Sequence, residues 1–291
     1  MVSDPVPAAD ERRHRAGPES WWGETWGFEF AAPDASLGGF VQITVYPRRN
    51  IAWFWAAIVG EGRRYVLCRD HEVTPPANPG VLEVRSVALW SHAICETPLE
   101  HWTVAMEAFA VALDDPFDAW AGERGHRVGL AFDLEWESVA TSAVRTRAVE
   151  GMKRYDVPCT VNGTLQIDDE SLTVEHVGWR HHAWGVLDWS PAMLSGIRAN
   201  GMGARPRSEW SDGNTSATTG ANASEGDWTI GPPATRRSTV ADAPLLVDRP
   251  GGSPARLLRS LERVVCDEAP APGWTEHEFS DRPPDTPRRT A

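Results

Sequence analysis

Tyrosine is nearly missing from this sequence, with 3 in 291 residues against 15 tryptophans. Cysteine is sparse as well. Cys68, Cys95, Cys159 and Cys266 stand far apart, with no CxxC spacing and no histidine ladder beside them, so zinc-finger and dithiol redox motifs are excluded. They read as reduced, buried small side chains. No stretch approaches the roughly 18 apolar residues of a membrane-spanning helix. The opening residues, MVSDPVPAADERRHRAGPES, lack the apolar core of a secretory signal, and a soluble, cytoplasmic protein is expected. Positive charge is also short: 28 basic against 41 acidic residues give a net charge of −13. That balance disfavours nucleic acid and anionic membrane surfaces as partners. The signatures GxSxG, GxGxxG after a strand, the Walker loop and HExxH are absent too. The expectation is a protein with neither metal nor nucleotide cofactor.

What is present is tryptophan and alternation. Apolar residues make up 41% of the chain, enough for a sizeable core, and most of them fall in short runs of period two bounded by Gly, Pro, Asn or Asp. Examples are GFVQITVY (39–46), IAWFWAAIV (51–59) and RVGLAFDLEW (127–136). Pro47 to Asn50 reads as a hairpin turn between the first two. Further runs cover 155–167, around an Asn162-Gly163 turn signal, and 172–176, 180–189, 228–230, 245–248 and 274–279. Such a pattern predicts an all-β antiparallel sandwich or barrel. Residues 101–113 and 255–265 fit helical and strand periods alike; in the second, Leu257, Leu258, Leu261, Val264 and Val265 share one helical face.

Residues 211–227, SDGNTSATTGANASEGD, hold no large apolar side chain and are expected to form a mobile loop, with residues 1–17 and 281–291 as disordered ends. A change of register near residue 150 places a domain boundary there. The resulting division is 18–150 and 151–280.

The segment GWRHHAWGVLDW (178–189) concentrates the chemistry. As a strand it points His182, Trp184, Val186 and Asp188 to one face, and His181, Ala183, Leu187 and Trp189 to the other. The adjacent histidines therefore cannot share a metal from one strand. His182 and Asp188 lie roughly 20 Å apart along the strand, so a carboxylate orienting His182 must come from another strand. Glu19, Glu135 and Glu137 are candidates by context. Asp188, flanked by Leu187 and Trp189, is either a desolvated carboxylate with a raised pKa or a turn cap before Ser190-Pro191.

Several stretches together resemble one family. PESWWGETWGFEF (18–30), the Gly38-Gly39 run through Trp55, Trp136, residues 178–189 with His182-Ala-Trp184-Gly, and GWTE (273–276) occur in the order seen in two-domain lipocalin-like proteins that include the carotenoid 1,2-hydratases (hydroxyneurosporene synthases). The resemblance implies two consecutive lipocalin-like (calycin) antiparallel β-barrels, and strands for both ambiguous segments. It also implies an apolar ligand cavity whose lining includes Trp21, Trp26, Trp53, Trp55, Trp136, Trp184 and Glu19. In the hydratases a carboxylic acid protonates an isoprenoid double bond between aromatic walls and water adds. By that likeness His182 tunes or relays the proton and Trp184 faces the cation. The family's Tyr-x-Asp pair has no counterpart after Tyr155, which leaves Asp188, or less favourably Asp212, as the acid.

Three functions follow as expectations. The first is a hydratase, cyclase or isomerase acting on a hydrophobic isoprenoid or polyketide-type small molecule by acid catalysis, with His182 and Asp188 as catalytic residues. The second is a non-catalytic carrier of an apolar small molecule. The third is a carbohydrate-active protein using tryptophan platforms, since Glu135 and Glu137 share a strand face about 6.6 Å apart.

Overall fold

In the computed structural model the described residues are 6–78, 80–140, 144–149, 151–187, 189, 236–249, 253–266 and 269–279. Regular structure is almost entirely strand, as the alternation predicts. Two short 3-10 turns, Ala8–Glu11 and Pro116–Trp120, are the helical exceptions among these residues.

Eight antiparallel strands close a ring. They run β1 (Trp22–Ala31), β2 (Leu37–Tyr46), β3 (Ile51–Gly60), β4 (Tyr65–Val73), β7 (His101–Leu113), β8 (His126–Ser138), β10 (Met152–Ile167) and β11 (Glu170–Val186), and β11 returns to pair with β1. The closing contact joins Tyr65–Leu67 of β4 to Val111–Leu113 of β7. β5 (Leu82–Ser86) and β6 (Leu89–Thr97) extend the sheet from the first part of β7, and β9 (Arg145–Val149) pairs with the start of β10. A second, three-stranded sheet holds β12 (Arg236–Val247), β13 (Ala255–Cys266) and β14 (Ala269–Phe279).

Period-two alternation sends one set of side chains inward. Trp26, Phe28 and Phe30 of β1, Ile43 and Val45 of β2, Phe54 of β3, Trp102 and Met106 of β7, Trp136 of β8 and Val157 of β10 form the ring's interior core. The opposite faces of β1 to β4 are covered as well. Phe40, Tyr46, Trp53, Trp55 and Leu67 pack against Ala243, Leu245, Leu257, Leu261 and Trp274 of the small sheet. Tyr65 donates to the Pro244 carbonyl at 2.9 Å and Trp120 Nε1 to that of Leu245 at 3.0 Å, while Glu29 of β1 is paired with Arg259 of β13. Burial on both faces explains why β1 and β2 carry no exposed position.

Several expectations resolve here. Both ambiguous segments are strands, β7 and β13. The helical face of Leu257 to Val265 is overridden because pairing with β12 and β14 satisfies the backbone on both sides. Asn162-Gly163 is not a turn. β10 runs straight through it, and a Cβ on Gly163 (φ 142°) would stand 2.1 Å from the Asp133 carbonyl, so glycine serves a close strand approach. The turn comes later, at Asp168 (φ 49°). The ring takes β1 to β4, β7 and β8 from before residue 150 and β10 and β11 from after it, because β10 completes its ladder on β8 and β11 its ladder on β1. The small sheet then packs outside the ring. Residues 6–17, expected to be disordered, lie against the barrel with Glu11 buried; their polar side chains find partners inside it, described next. Residues 211–227, 228–230 and 281–291 lie outside the described residues.

Candidate active site: a hydrogen-bonded chain inside the ring

The β1–β11 register sets the site: Trp26 lies opposite His182 and Glu24 opposite Trp184. Period two then puts Glu24 and Trp26 of β1 on the same inward face as Arg180, His182 and Trp184 of β11. His182 is flattened on Trp26 with ring centroids 4.6 Å apart and 21° between planes. His181, on the opposite face, sits over Gly27, where a Cβ would come within 1.9 Å of its ring. The two adjacent histidines thus never meet.

Both nitrogens of His182 are engaged. Nε2 lies 2.9 Å from Glu24 Oε1 and Nδ1 lies 3.2 Å from the Tyr155 hydroxyl of β10. Glu24 has a second imidazole, since His14 Nδ1 is 2.8 Å from the same oxygen and the His14 backbone N–H donates to both carboxylate oxygens at 3.0 Å. His14 is stacked on Trp184 at 3.9 Å and 12°, and its Nε2 reaches Asp10 at 3.5 Å. A hydrogen-bonded chain therefore runs from Tyr155 in the interior through His182, Glu24 and His14 to Asp10 at the surface.

Proton positions follow from the pKa directions. Burial pushes Glu24 upward, but hydrogen bonds from His14 and His182 outweigh it and hold the carboxyl below its ordinary range. Burial disfavours the charge on His14, yet Glu24 and Asp10 more than compensate, and its pKa is raised. Burial first, then the charge of Glu11, keeps the Tyr155 phenol protonated well above its usual value. With Glu24 ionised it accepts from His182 Nε2–H, which leaves Nδ1 to accept from the tyrosine hydroxyl.

Beside this chain lies a buried ion pair. Glu11 of the N-terminal arm binds Arg180 Nη1 at 2.7 Å and takes a hydrogen bond from Trp102 Nε1 at 2.6 Å. The pair anchors the arm that carries His14.

The sequence-predicted residues divide into groups. His182, Trp184, Trp26 and Trp136 face the interior, Trp136 donating to the Glu29 carbonyl at 3.1 Å. Trp21, Trp53 and Trp55 belong to the outer-face cluster, so the expected single aromatic cavity is split by the wall of the ring. Glu19 is exposed, and Glu135 and Glu137 project outward from β8 near His101; the orienting carboxylate is Glu24. Asp188 and Asp212 lie outside the described residues. Glu24, His14 and Tyr155 escaped the sequence reading. Glu24 alone left a signal there: in WGETWGFEF, period two puts it among Trp22, Trp26, Phe28 and Phe30, a carboxylate on an otherwise apolar face.

His14, Glu24 and His182 also offer two imidazole nitrogens and a carboxylate oxygen within 4.8 Å of one another. Such a donor set suits a divalent transition metal, although here both imidazole nitrogens that would bind it are turned to Glu24.

Fold and site define an all-β antiparallel barrel protein with a buried carboxylate bridging two histidines. The chain belongs to the family described as Domain of unknown function (DUF7064), whose profile matches residues 7–204, from the arm through the ring. No curated protein matches the sequence. Among solved structures, kievitone hydratase from Nectria haematococca is similar at 14% identity, with a TM-score of 0.45 over 94% of this chain and 92% of that one. CghA is similar at 13% identity and a TM-score of 0.40, over 95% of both chains. CghA with Sch210972 is similar at 11% identity, also with a TM-score of 0.40, over 89% of this chain and 88% of that one. No helix among the described residues is long and apolar enough to cross a membrane.

Proposed function

We propose that the protein is a cofactor-independent enzyme of hydratase, cyclase or isomerase type acting on a hydrophobic, polyketide- or isoprenoid-like small molecule. The observation that carries this reading is the chain Tyr155, His182, Glu24, His14, inside an apolar ring and open to the surface at Asp10.

The arrangement has the logic of a nucleophile–histidine–carboxylate triad, with Tyr155 at the reacting end. A water molecule or substrate hydroxyl gives its proton to the Tyr155 oxygen as the tyrosine proton passes to His182 Nδ1. The imidazolium so formed is held by ionised Glu24 and by the face of Trp26. The oxygen adds to one carbon of the double bond, and the proton returns through Tyr155 to the other, so that the elements of H–O–R are added and no group is left over. Protonating an isolated alkene calls for a neutral carboxylic acid, and Glu24 is held ionised. The network therefore favours a double bond conjugated to a carbonyl, which an imidazole and a phenol suffice to activate.

A carrier function is the second reading, favoured by the saturation of both His182 nitrogens. Native mass spectrometry of protein purified from its own host, followed by incubation of any retained compound in D2O, separates the two. The enzyme reading expects deuterium at carbon in the product of the natural protein and its loss in Tyr155→Phe and His182→Gln, with the compound still retained. Recovery of the compound unchanged from the natural protein leaves the carrier.

A further inference from the structure

The arm of residues 6–17 is bound to the ring as an acidic ligand would be. Within it Glu11 alone is fully buried, its side chain 1% exposed. Val6 packs against the interior core only in part. The remaining ties are polar: Arg13 Nη1 donates to the Pro76 carbonyl at 2.8 Å, and His14 is bonded to Glu24.

The seat of Glu11 is built from the ring's side. Oε1 accepts from Arg180 Nη1 at 2.7 Å and from the Leu99 backbone N–H at 3.2 Å; Oε2 accepts from Trp102 Nε1 at 2.6 Å, with the Cys95 thiol at 3.9 Å. These donors stand on β6, on β7, on the turn joining them and on β11, where strand pairing positions them without help from the arm. Glu11 engages one nitrogen of the guanidinium. Arg180 Nε and Nη2 are buried with no hydrogen-bond partner among the described residues, and a charged donor left so is costly. The Asp10 carbonyl stands 3.4 Å from the Tyr155 hydroxyl, so the same stretch of arm covers the end of the relay.

We propose that this seat is a receptor for the carboxylate of an apolar acid, and that Glu11 fills it as the chain's own competitor. The ligand's carboxylate exchanges for that of Glu11, and the arm withdraws. No vacant slot is required. The incoming carboxylate takes the volume of the Glu11 side chain, and the apolar body takes the place of the arm beside Cys95 and Leu99, which pack against the interior core. The guanidinium is never bared, because one carboxylate replaces another. A ligand that also reaches Nε or Nη2 gains bonds that the arm leaves unused. The inference rests on the proposed function in one respect, that the ligand lies inside the ring; it adds the ligand's charge and a gate that an acid opens.

The test uses trans-cinnamate as probe and cinnamamide, of similar shape without the charge, as control, with the full-length chain, calorimetry and amide hydrogen exchange. Glu11→Ala is expected to bind cinnamate about tenfold tighter than the amide. It is also expected to bind cinnamate about tenfold tighter than the natural protein does, since there the tethered Glu11 competes. In the natural protein cinnamate, but not the amide, should speed exchange at residues 6–17. The double variant Glu11→Ala, Arg180→Met removes both charges and should lose the preference for the acid. Should Glu11→Ala alone fail to fold, exchange in the natural protein and binding to the double variant still decide. Absence of cinnamate binding to folded Glu11→Ala, no gain over the natural protein, equal affinity for acid and amide, survival of the preference in the double variant, or unchanged exchange at residues 6–17 under saturating cinnamate would each overturn the assignment. All these readouts are of binding, so their failure leaves the deuterium experiment on Tyr155 and His182 untouched.

Discussion

Two histidines in this molecule lie flat on tryptophan at the same tilt, His182 on Trp26 inside the ring and His71 on Trp53 outside it. Each also touches a carboxylate. The difference lies in the carboxylates. Glu24 is itself buried and shared with a second imidazole, whereas Asp248 is half exposed and, among the described residues, pairs with His71. Inside, both nitrogens of His182 are committed. Outside, one nitrogen is left open. The same stacked pair thus closes a hydrogen-bonded network in one place and keeps an unpartnered nitrogen in the other.

The largest effect should come from the ion pair that anchors the interior. Glu11→Ala leaves the guanidinium of Arg180 buried without its counter-charge, and urea denaturation should show a loss of about 3–5 kcal/mol. A loss under about 1 kcal/mol, the range of surface pairs, would mean that the arm contributes little to the fold.

The two carboxylates can be set directly against each other. Glu24→Gln disrupts hydrogen bonds to two imidazoles and should cost about 1–3 kcal/mol. Asp248→Asn, at a half-exposed partner, should cost less than about 1 kcal/mol. Equal losses would remove the distinction between the two regions.

The smallest effect, opposite in sign at the two sites, is that of pH. His14 has a folded pKa above its ordinary 6.5, so its contribution is full below 6.5 and fades as pH rises through the folded value. Glu24 has a folded pKa below its ordinary 4.5, so its contribution is full above 4.5 and fades on acidification. The arm should therefore dock most firmly between these values and loosen on the alkaline side. His71 behaves inversely: folded, it resists the proton until about pH 4, so acidification below 6.5 favours the unfolded chain. Amide hydrogen exchange, corrected for its intrinsic pH dependence, should show residues 6–17 opening toward high pH and β4 toward low pH. Coincident profiles would break the comparison.

Much of the fold was legible because strand alternation is a local signal. GFVQITVY and RVGLAFDLEW announce their faces without help from the rest of the chain, and His182 with Trp184 could be assigned to one face from spacing alone. Their partners could not. Glu24 meets His182 only because β1 pairs with β11 in one register, and no local pattern encodes that pairing. The arm was misread because its composition is polar, and polar residues look solvated until a buried arginine such as Arg180 is there to receive them. The aromatic residues were assigned to a single cavity since composition counts tryptophans without saying on which side of a wall they stand. His71 went unnoticed for a similar reason: Asp248 reaches it from beyond β12.

Closure of the ring by its first and last strands has a consequence for synthesis. β1 is buried on both faces in the finished barrel, and its inward face carries Trp26, Phe28 and Phe30, yet the strand that seals its free edge begins at Glu170. A chain leaving the ribosome exposes this edge until most of it has been made, in a topology whose slowest contact is its most distant. The hazard of edge-to-edge association is thus concentrated in the nascent molecule, and raising the temperature during expression should divert more of the product into aggregates than the stability of the finished barrel alone would lead one to expect.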